Sequence, residues 1–453
     1  MNQTNRNMLE GPLFPNITRF TIPIILTSVL QLLFNAADLV VVGQFCGSVS
    51  VAAVGATGSI TGLLVNFFIG LSVGAGVAVA HGLGGRENQV VHRTVHTALP
   101  TAILSGAILT VAGLTYSETF LIMMGTPDTV LPLSTVYMRI IFCGITFNMV
   151  YNFCASILRA AGDTKSPLVF LLFAGILNVI LNLVFVIQFQ MNVAGVALAT
   201  IISQTVSACM VTRMLMKEEG ALHLDLHHLG FHMGALKQIL LIGLPAGLQS
   251  TVFSLSNVVI QSAINSFGST VVAGSSASAN LEGFVYTAMN AFSQAAVTFT
   301  SQNMGARKYQ NLNRVVLNCL LCAIVTGVVL GGGAVLAGTQ LLHFYSSDAA
   351  VIAAGYERLR VICGTYLLCG IMDTLASSLR GLGYSVLPMV VSLVGSCLLR
   401  LVWIATIFQL NRTPFMLYIS YPISWVLTAA VHLACLLVVR HKMRQRGQTL
   451  QAA

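Results

Sequence analysis

The feature that most constrains this chain is the near absence of charge across long apolar stretches. Between Arg19 and Arg86 the only formal charge is Asp38, inside IPIILTSVLQLLFNAADLVVVG at residues 22–43. Crossing a bilayer core as a helix takes about 20 apolar residues, and this stretch is long enough. A carboxylate near the centre of such a helix costs roughly 2.5–3.5 kcal/mol on insertion scales, so its presence is itself a functional hypothesis. Three readings suit Asp38. It is a structural group hydrogen-bonded to Gln31, Asn35 or a neighbouring helix, or it binds and releases H⁺ or Na⁺ during transport, or the span is shifted and it sits at the outer interface.

The pattern continues along all 453 residues, of which 56% are hydrophobic and 8% charged. A soluble domain carries about 25% charged residues. Only helices or closed barrels satisfy their backbone in lipid, and the runs here are continuous rather than short and alternating. The expected fold is therefore an all-α integral membrane protein. The polar start MNQTNRNMLEGP lacks the layout of a cleaved signal peptide, so the first span is expected to be retained. A net charge of +9 could suggest nucleic acid, but 17 of the 22 Lys and Arg fall in the tails and alternate loops. The exceptions are Arg139, Arg358, Arg360, Arg400 and Arg412. This positive-inside distribution places both termini in the cytoplasm and leaves no role for nucleic acid. The basic tail RHKMRQRG suits anchoring to membrane lipid, at about 1 kcal/mol per charge near an anionic leaflet. The ten Cys include one close pair, Cys319 and Cys322 in CLLC on an apolar helix, and read as buried inert thiols.

Twelve spans are expected, six within an N-lobe at 1–216 and six within a C-lobe at 237–453, joined by a polar connector at 217–236. The halves are related in sequence. Ala155, Ser156, Leu158, Arg159, Gly162 and Pro167 recur 221 positions later as Ala376, Ser377, Leu379, Arg380, Gly383 and Pro388. The same offset carries Gly84 to Gly305, Arg86 to Arg307, Gly47 to Gly268 and Arg139 to Arg360. An even number of helices per repeat makes the repeats parallel. Two six-helix lobes facing a central space suit an alternating-access carrier better than a channel or an enzyme.

Three of the thirteen acidic residues fall inside expected spans: Asp38, Glu282 and Asp373. None has an obvious positive partner at i±4 on its own helix. Asn178 and Asn182 share one face of the fifth span, Thr200 and Gln204 one face of the sixth, and Tyr137 comes from the fourth. Their oxygens, with one carboxylate, suit a hard monovalent cation; they would equally serve to hydrogen-bond helices together. Arg400 reads as the only deeply placed Lys or Arg. The small residues at 70–76 and 331–333 read as sites of close helix packing. HLDLHHLGFH at 223–232 has His223/His227 and His228/His232 at i,i+4. No Cys or Glu completes a metal site, and the stretch reads as an amphipathic interfacial helix. There is no P-loop, so ATP-driven pumping is not expected.

The motifs QLLFNAADLVVVGQFCG, ILRAAGDTKSP, GLPAGLQS, TSQNMGARK and SLRGLGYSVLP, spread over nearly the whole chain, resemble those of the multidrug and toxic compound extrusion (MATE) family. They are closer to its DinF-like prokaryotic branch than to its NorM branch. The resemblance implies a V-shaped pair of lobes in the bacterial inner membrane, with no enzymatic activity and no cofactor, exporting small amphipathic, cationic organic compounds in exchange for H⁺ or Na⁺. It implies a monomer, with Asp38 as the coupling carboxylate and Tyr137, Asn178, Asn182 and Thr200 around it. Some members have Asp where Asn182 stands, which leaves the coupling ion open between Na⁺ and H⁺. NorM-like members have a Glu in helix seven, absent from STVFSLSNVV here. Glu282 and Asp373 are weaker C-lobe candidates. A lipid-linked precursor flippase of the wider superfamily and a membrane enzyme or receptor are the alternatives.

Overall fold

The computed structural model describes residues 8–452. The polar stretch 1–7, Ala453 and the side chains of Ser59 and of 444–452, which include the basic tail, lie outside the described residues. The first half comprises α1 (Leu13–Phe45), α2 (Ser48–Gly85), α3 (Asn88–Met123), α4 (Leu131–Ala160), α5 (Lys165–Gln188) and α6 (Asn192–Lys217). The second comprises α7 (Met233–Asn265), α8 (Ser269–Gly305), α9 (Tyr309–Leu336), α10 (Ala349–Gly381), α11 (Val386–Leu410) and α12 (Pro414–Met443). Eleven of these are long and apolar enough to cross a membrane. The remaining one, α8, is an unbroken helix of 37 residues whose many Ser, Thr, Asn and Gln lower its hydropathy.

The 221-residue repeat is visible in the backbone. Ser48 and Ser269, Asn88 and Tyr309, and Lys165 and Val386 each begin corresponding helices at that offset. Left-handed backbone recurs with them: Gly47 at φ 85° and Gly268 at 90°, Arg86 at 57° and Arg307 at 55°, Gly162 at 95° and Gly383 at 91°. A left-handed residue costs an L-side chain roughly 1–2 kcal/mol, so its recurrence in an arginine pair marks a shared turn design. The fifth helix of each repeat also contains a π-helical turn, Val184–Gln188 in α5 and Leu393–Leu398 in α11.

Two compact units result. One contains residues 23–251, the other residues 1–22 with 252–453. The start of the chain belongs with the second half because it is tied there. Asn303 Nδ2 donates to the Met8 carbonyl at 3.1 Å, Lys308 Nζ reaches Glu10 Oε1 at 3.2 Å, and Phe20 meets Phe299 edge-on at 5.4 Å. Within the first-half unit, α2 and the opening turns of α7 pack backbone to backbone. A Cβ on Gly70 would lie 2.2 Å from the Gly247 nitrogen, and one on Gly74 2.2 Å from the Ile239 carbonyl oxygen. The small residues at 70–76 thus serve close packing. At 331–333 only Gly331 does, its Cβ position lying 2.4 Å from the Cys363 carbonyl, while Gly332 and Gly333 face open space.

Candidate functional site

The carboxylate of Asp38 is brought to α5 by a contact one turn earlier. The Phe34 ring lies over Gly175, where a Cβ would sit 1.8 Å from a ring carbon. Glycine at that position lets α1 approach α5 closely enough for Asn182 Nδ2 to donate to Asp38 Oδ1 at 2.5 Å. The same amide donates to Asn178 Oδ1 at 3.2 Å, and Asn178 Nδ2 donates to Thr200 Oγ1 at 3.3 Å. Thr200 in turn donates to the Val196 carbonyl at 2.9 Å, which anchors the chain of bonds to α6. Tyr137 packs against an apolar layer of Val41, Val42, Val186, Val193 and Val196 and is close enough to Asp38 to feel its charge. All five residues singled out in the first half therefore meet in one place, and Asp38, Asn178 and Asn182 are buried there.

Two properties of this cluster bear on its chemistry. Among the described residues no Lys, Arg or His forms an ion pair with Asp38. The amide oxygen of Asn182 is buried without a hydrogen-bond partner. Leaving such an acceptor unsatisfied costs about 1–3 kcal/mol. A carboxylate lacking a counter-ion beside an orphaned amide oxygen, a second amide, a hydroxyl and a phenol is an all-oxygen donor set. Such a set fits a proton on Asp38 or a hard monovalent cation, and it lacks the soft sulfur ligands that thiophilic metals favour. Among the described residues no three His, Cys, Asp or Glu come together as metal ligands.

The second half is built differently. Arg358 Nε and Nη2 donate to Glu282 Oε1 and Oε2 at 2.8 and 2.9 Å, a bidentate pair. Ser278 adds a bond to Glu282 Oε1 at 2.8 Å, and Arg358 Nη1 donates to Ser275 at 2.7 Å. Arg358 is only 7% exposed, which corrects the expectation that Arg400 is the one deeply placed cation. The partner that Glu282 lacks on its own helix comes from α10. Sequence reasoning missed it because pairing between helices has no fixed spacing. The offset of 221 did hold a signal, since it sets Arg358 opposite Tyr137 and Val259 opposite Asp38. Asp373 stands apart from that pair. It lies close to Tyr286 and accepts from Cys369 Sγ at 3.9 Å.

The connector at 218–232 is not an amphipathic helix. It forms two short 3-10 turns, Gly220–Leu222 and Leu226–His228, fastened to the start of α3. Its Asp225 amide donates to His96 Nε2 at 3.0 Å, while His96 Nδ1 faces the His92 carbonyl at 2.8 Å. Thr97 Oγ1 donates to the Gly230 carbonyl at 3.2 Å and accepts from the His232 amide at 3.1 Å. Leu222 and Leu224 fill the core beneath. Helical periodicity is overridden here by these tertiary bonds and by Asp225, whose carboxylate caps the His227 amide at 2.9 Å.

Comparison with known proteins agrees with this architecture. The MatE family model matches twice, at residues 23–184 and 245–406, once in each repeat. The chain is 26% identical over 385 residues to the probable multidrug resistance protein YoeA of Bacillus subtilis (strain 168), covering 83% of each. It is 28% identical over 411 residues to the probable multidrug resistance protein YpnP of the same organism, covering 86% of this chain and 87% of that one. In structure it superposes with a TM-score of 0.90 on an outward-facing multidrug resistance MATE family transporter of the MOP superfamily, at 21% identity and covering 98% of this chain and 99% of that one.

Proposed function

This chain belongs to the MatE family, whose members among its relatives are multidrug efflux transporters, and on that premise we propose that it is a secondary antiporter coupled through Asp38. It exports small amphipathic organic compounds, cationic ones foremost, across the bacterial inner membrane in exchange for H⁺ or Na⁺. It acts as a monomer with both termini in the cytoplasm and uses no cofactor. The observation that carries this reading is the buried Asp38 carboxylate, which has no ion-pair partner among the described residues and touches Asn182, whose amide oxygen is unsatisfied.

The cycle follows from that arrangement. Asp38 takes up a cation from outside, which removes the buried negative charge and supplies the Asn182 oxygen with a partner. The Asn182, Asn178 and Thr200 bonds then rearrange. Because these residues sit on α1, α5 and α6, loading biases how those helices pack and so which side the substrate path faces. Inward movement of one charge at about 100 mV releases roughly 2.3 kcal/mol, enough for about a fiftyfold gradient of a neutral solute. Glu282 takes no part, since Arg358 already occupies both of its oxygens.

The test is reconstitution in proteoliposomes with a fluorescent cationic drug under separate H⁺ and Na⁺ gradients, comparing wild type with Asp38→Asn. Flux driven by one gradient and abolished by the substitution identifies the ion. Undiminished flux in a well-folded Asp38→Asn protein refutes the mechanism.

A further inference from the structure

The second half of the molecule contains a buried cation that the cycle above does not use. Arg400 lies in α11, directly after its π-helical turn, and is 2% exposed. Its Nε donates to Ser424 Oγ at 2.8 Å. Its guanidinium carbon stands 4.3 Å from the centre of the Tyr421 ring and 5.8 Å from that of Trp425. Its Nη2 is buried with no hydrogen-bond partner, and among the described residues no carboxylate forms an ion pair with it. Asp373 feels its charge, and that carboxylate also feels Arg380 and accepts from Cys369.

The charge balance of this half is uneven. Inside it Arg358, Arg380 and Arg400 face Glu282 and Asp373, so three positive groups meet two negative ones. Glu282 is consumed by Arg358. A buried guanidinium left without a full counter-charge costs several kcal/mol, and an ionisable group inside a membrane-spanning helix is a functional candidate by default. π-helical turns also concentrate at functional sites.

The surroundings indicate what would complete the site. Trp425 stacks on Tyr366 with centroids 5.4 Å apart and planes 20° apart, and Tyr366 lies 6.3 Å from Tyr286. Tyr286 is 39% exposed, so a ladder of aromatic rings runs from an accessible edge to the guanidinium. Flat aromatic ligands stack on such rings, and a planar guanidinium with free N–H groups matches the two oxygens of a carboxylate.

We infer that Arg400, with Ser424, Tyr421 and Trp425, forms a binding subsite for the carboxylate of a small aromatic anion, either free or as the acidic end of a zwitterionic amphiphile. The inference rests on the exporter reading only in taking that anion as cargo; binding itself does not depend on it.

The chain has two tryptophans, Trp403 and Trp425. Trp403→Phe leaves Trp425 as the sole indole reporter beside Arg400. The full-length protein in nanodiscs is titrated with 3-nitrobenzoate, which quenches indole on contact, with its methyl ester and with chloride. The expected result is saturable quenching by 3-nitrobenzoate, reversed by excess unlabelled benzoate and absent with the ester. In Arg400→Met the apparent affinity falls at least tenfold, and Arg400→Lys recovers part of it. Quenching that rises linearly without saturating, or that the ester reproduces, overturns the subsite without recourse to any Arg400 variant. So does equal affinity in a folded Arg400→Met protein, and so does displacement by chloride as effective as by benzoate, which would mark a site for small inorganic anions. Saturable, Arg400-dependent quenching in a protein that shows no cation-driven flux would retain the subsite while removing the exporter reading.

Discussion

Replacing Glu282 with Gln separates a structural ion pair from a coupling group. In the native protein both carboxylate oxygens receive Arg358 donors at 2.8 and 2.9 Å, and Glu282 and Arg358 are 5% and 7% exposed. The Gln side chain keeps one acceptor for the guanidinium but places an amide donor opposite the other N–H, and it removes the counter-charge. Breaking one side of such a buried pair costs about 3–5 kcal/mol, whereas replacing both sides by apolar groups is often neutral or stabilising. Glu282→Gln should therefore lose about 3–5 kcal/mol, and Glu282→Met with Arg358→Met should recover most of it. The assay is a double-mutant cycle on unfolding in mixed detergent micelles, followed by circular dichroism. A loss below about 1 kcal/mol in Glu282→Gln, or a double variant as unstable as the sum of the singles, refutes the reasoning. Transport adds an independent readout. The stable double variant should keep its cation-to-substrate ratio, and loss of coupling there would return Glu282 to the coupling set.

Three further predictions rest on other parts of the molecule. Gly70→Ala forces a methyl group to within 2.2 Å of the Gly247 backbone nitrogen, so α2 and α7 must separate at a cost of about 1–3 kcal/mol in thermal or detergent unfolding. Gly62→Ala, with nothing within 4 Å of its Cβ, is the control and should be neutral or slightly stabilising. Asn182→Asp places a second carboxylate beside Asp38 and should raise the preference for Na⁺ over H⁺ in driving flux by at least about tenfold, equivalent to 1.4 kcal/mol; an unchanged ion preference contradicts a cation held between α1 and α5. At the connector, the Thr97 hydroxyl donates to the Gly230 carbonyl and accepts from the His232 amide. Thr97→Val keeps the side-chain shape and removes both bonds, at about 1–3 kcal/mol. Amide exchange over residues 222–232 should quicken about tenfold or more in that variant, and unchanged protection contradicts docking through Thr97.

Much of the fold was legible because it follows from two simple signals. Long uncharged runs fix the spans, and a constant offset of 221 fixes the duplication, down to paired left-handed turns at Arg86 and Arg307. The first-half cluster was legible for a related reason. Asn178 and Asn182 share a helix face by their i,i+4 spacing, and a lone carboxylate in an apolar run draws polar neighbours. What the sequence did not disclose depends on contacts between helices. Glu282 has its partner 76 positions away in Arg358, and no periodicity encodes that separation. The histidine-rich connector misled for the opposite reason. Its i,i+4 spacing is helical, but its backbone groups are claimed by His96 and Thr97 of α3. Likewise α8 is as helical as its neighbours, yet its Ser and Asn content places it below the hydropathy of the rest.

The repeats share a backbone and differ where their chemistry lies. Position for position, Asp38, Tyr137, Asn178, Asn182 and Thr200 of the first half correspond to Val259, Arg358, Leu399, Trp403 and Tyr421 of the second. The carboxylate and both amides of the first cluster are lost, a guanidinium stands in place of Tyr137, and the one oxygen left is the Tyr421 phenol in place of Thr200. Arg358 amounts to a cation covalently fixed in the second repeat, held by Glu282 as a diffusible ion would be held by a carboxylate, and unable to leave. A site filled in that way leaves no place for an exchangeable cation, so in the proposed mechanism cation exchange is confined to the first half. Arg380 and Arg400 remain as positive charges of the second half, and on the inference above Arg400 would select cargo instead of driving it. Division of labour of this kind resolves a conflict that two identical repeats would face, because a site tuned to release a small cation on each turn would compete with a cationic substrate at every step.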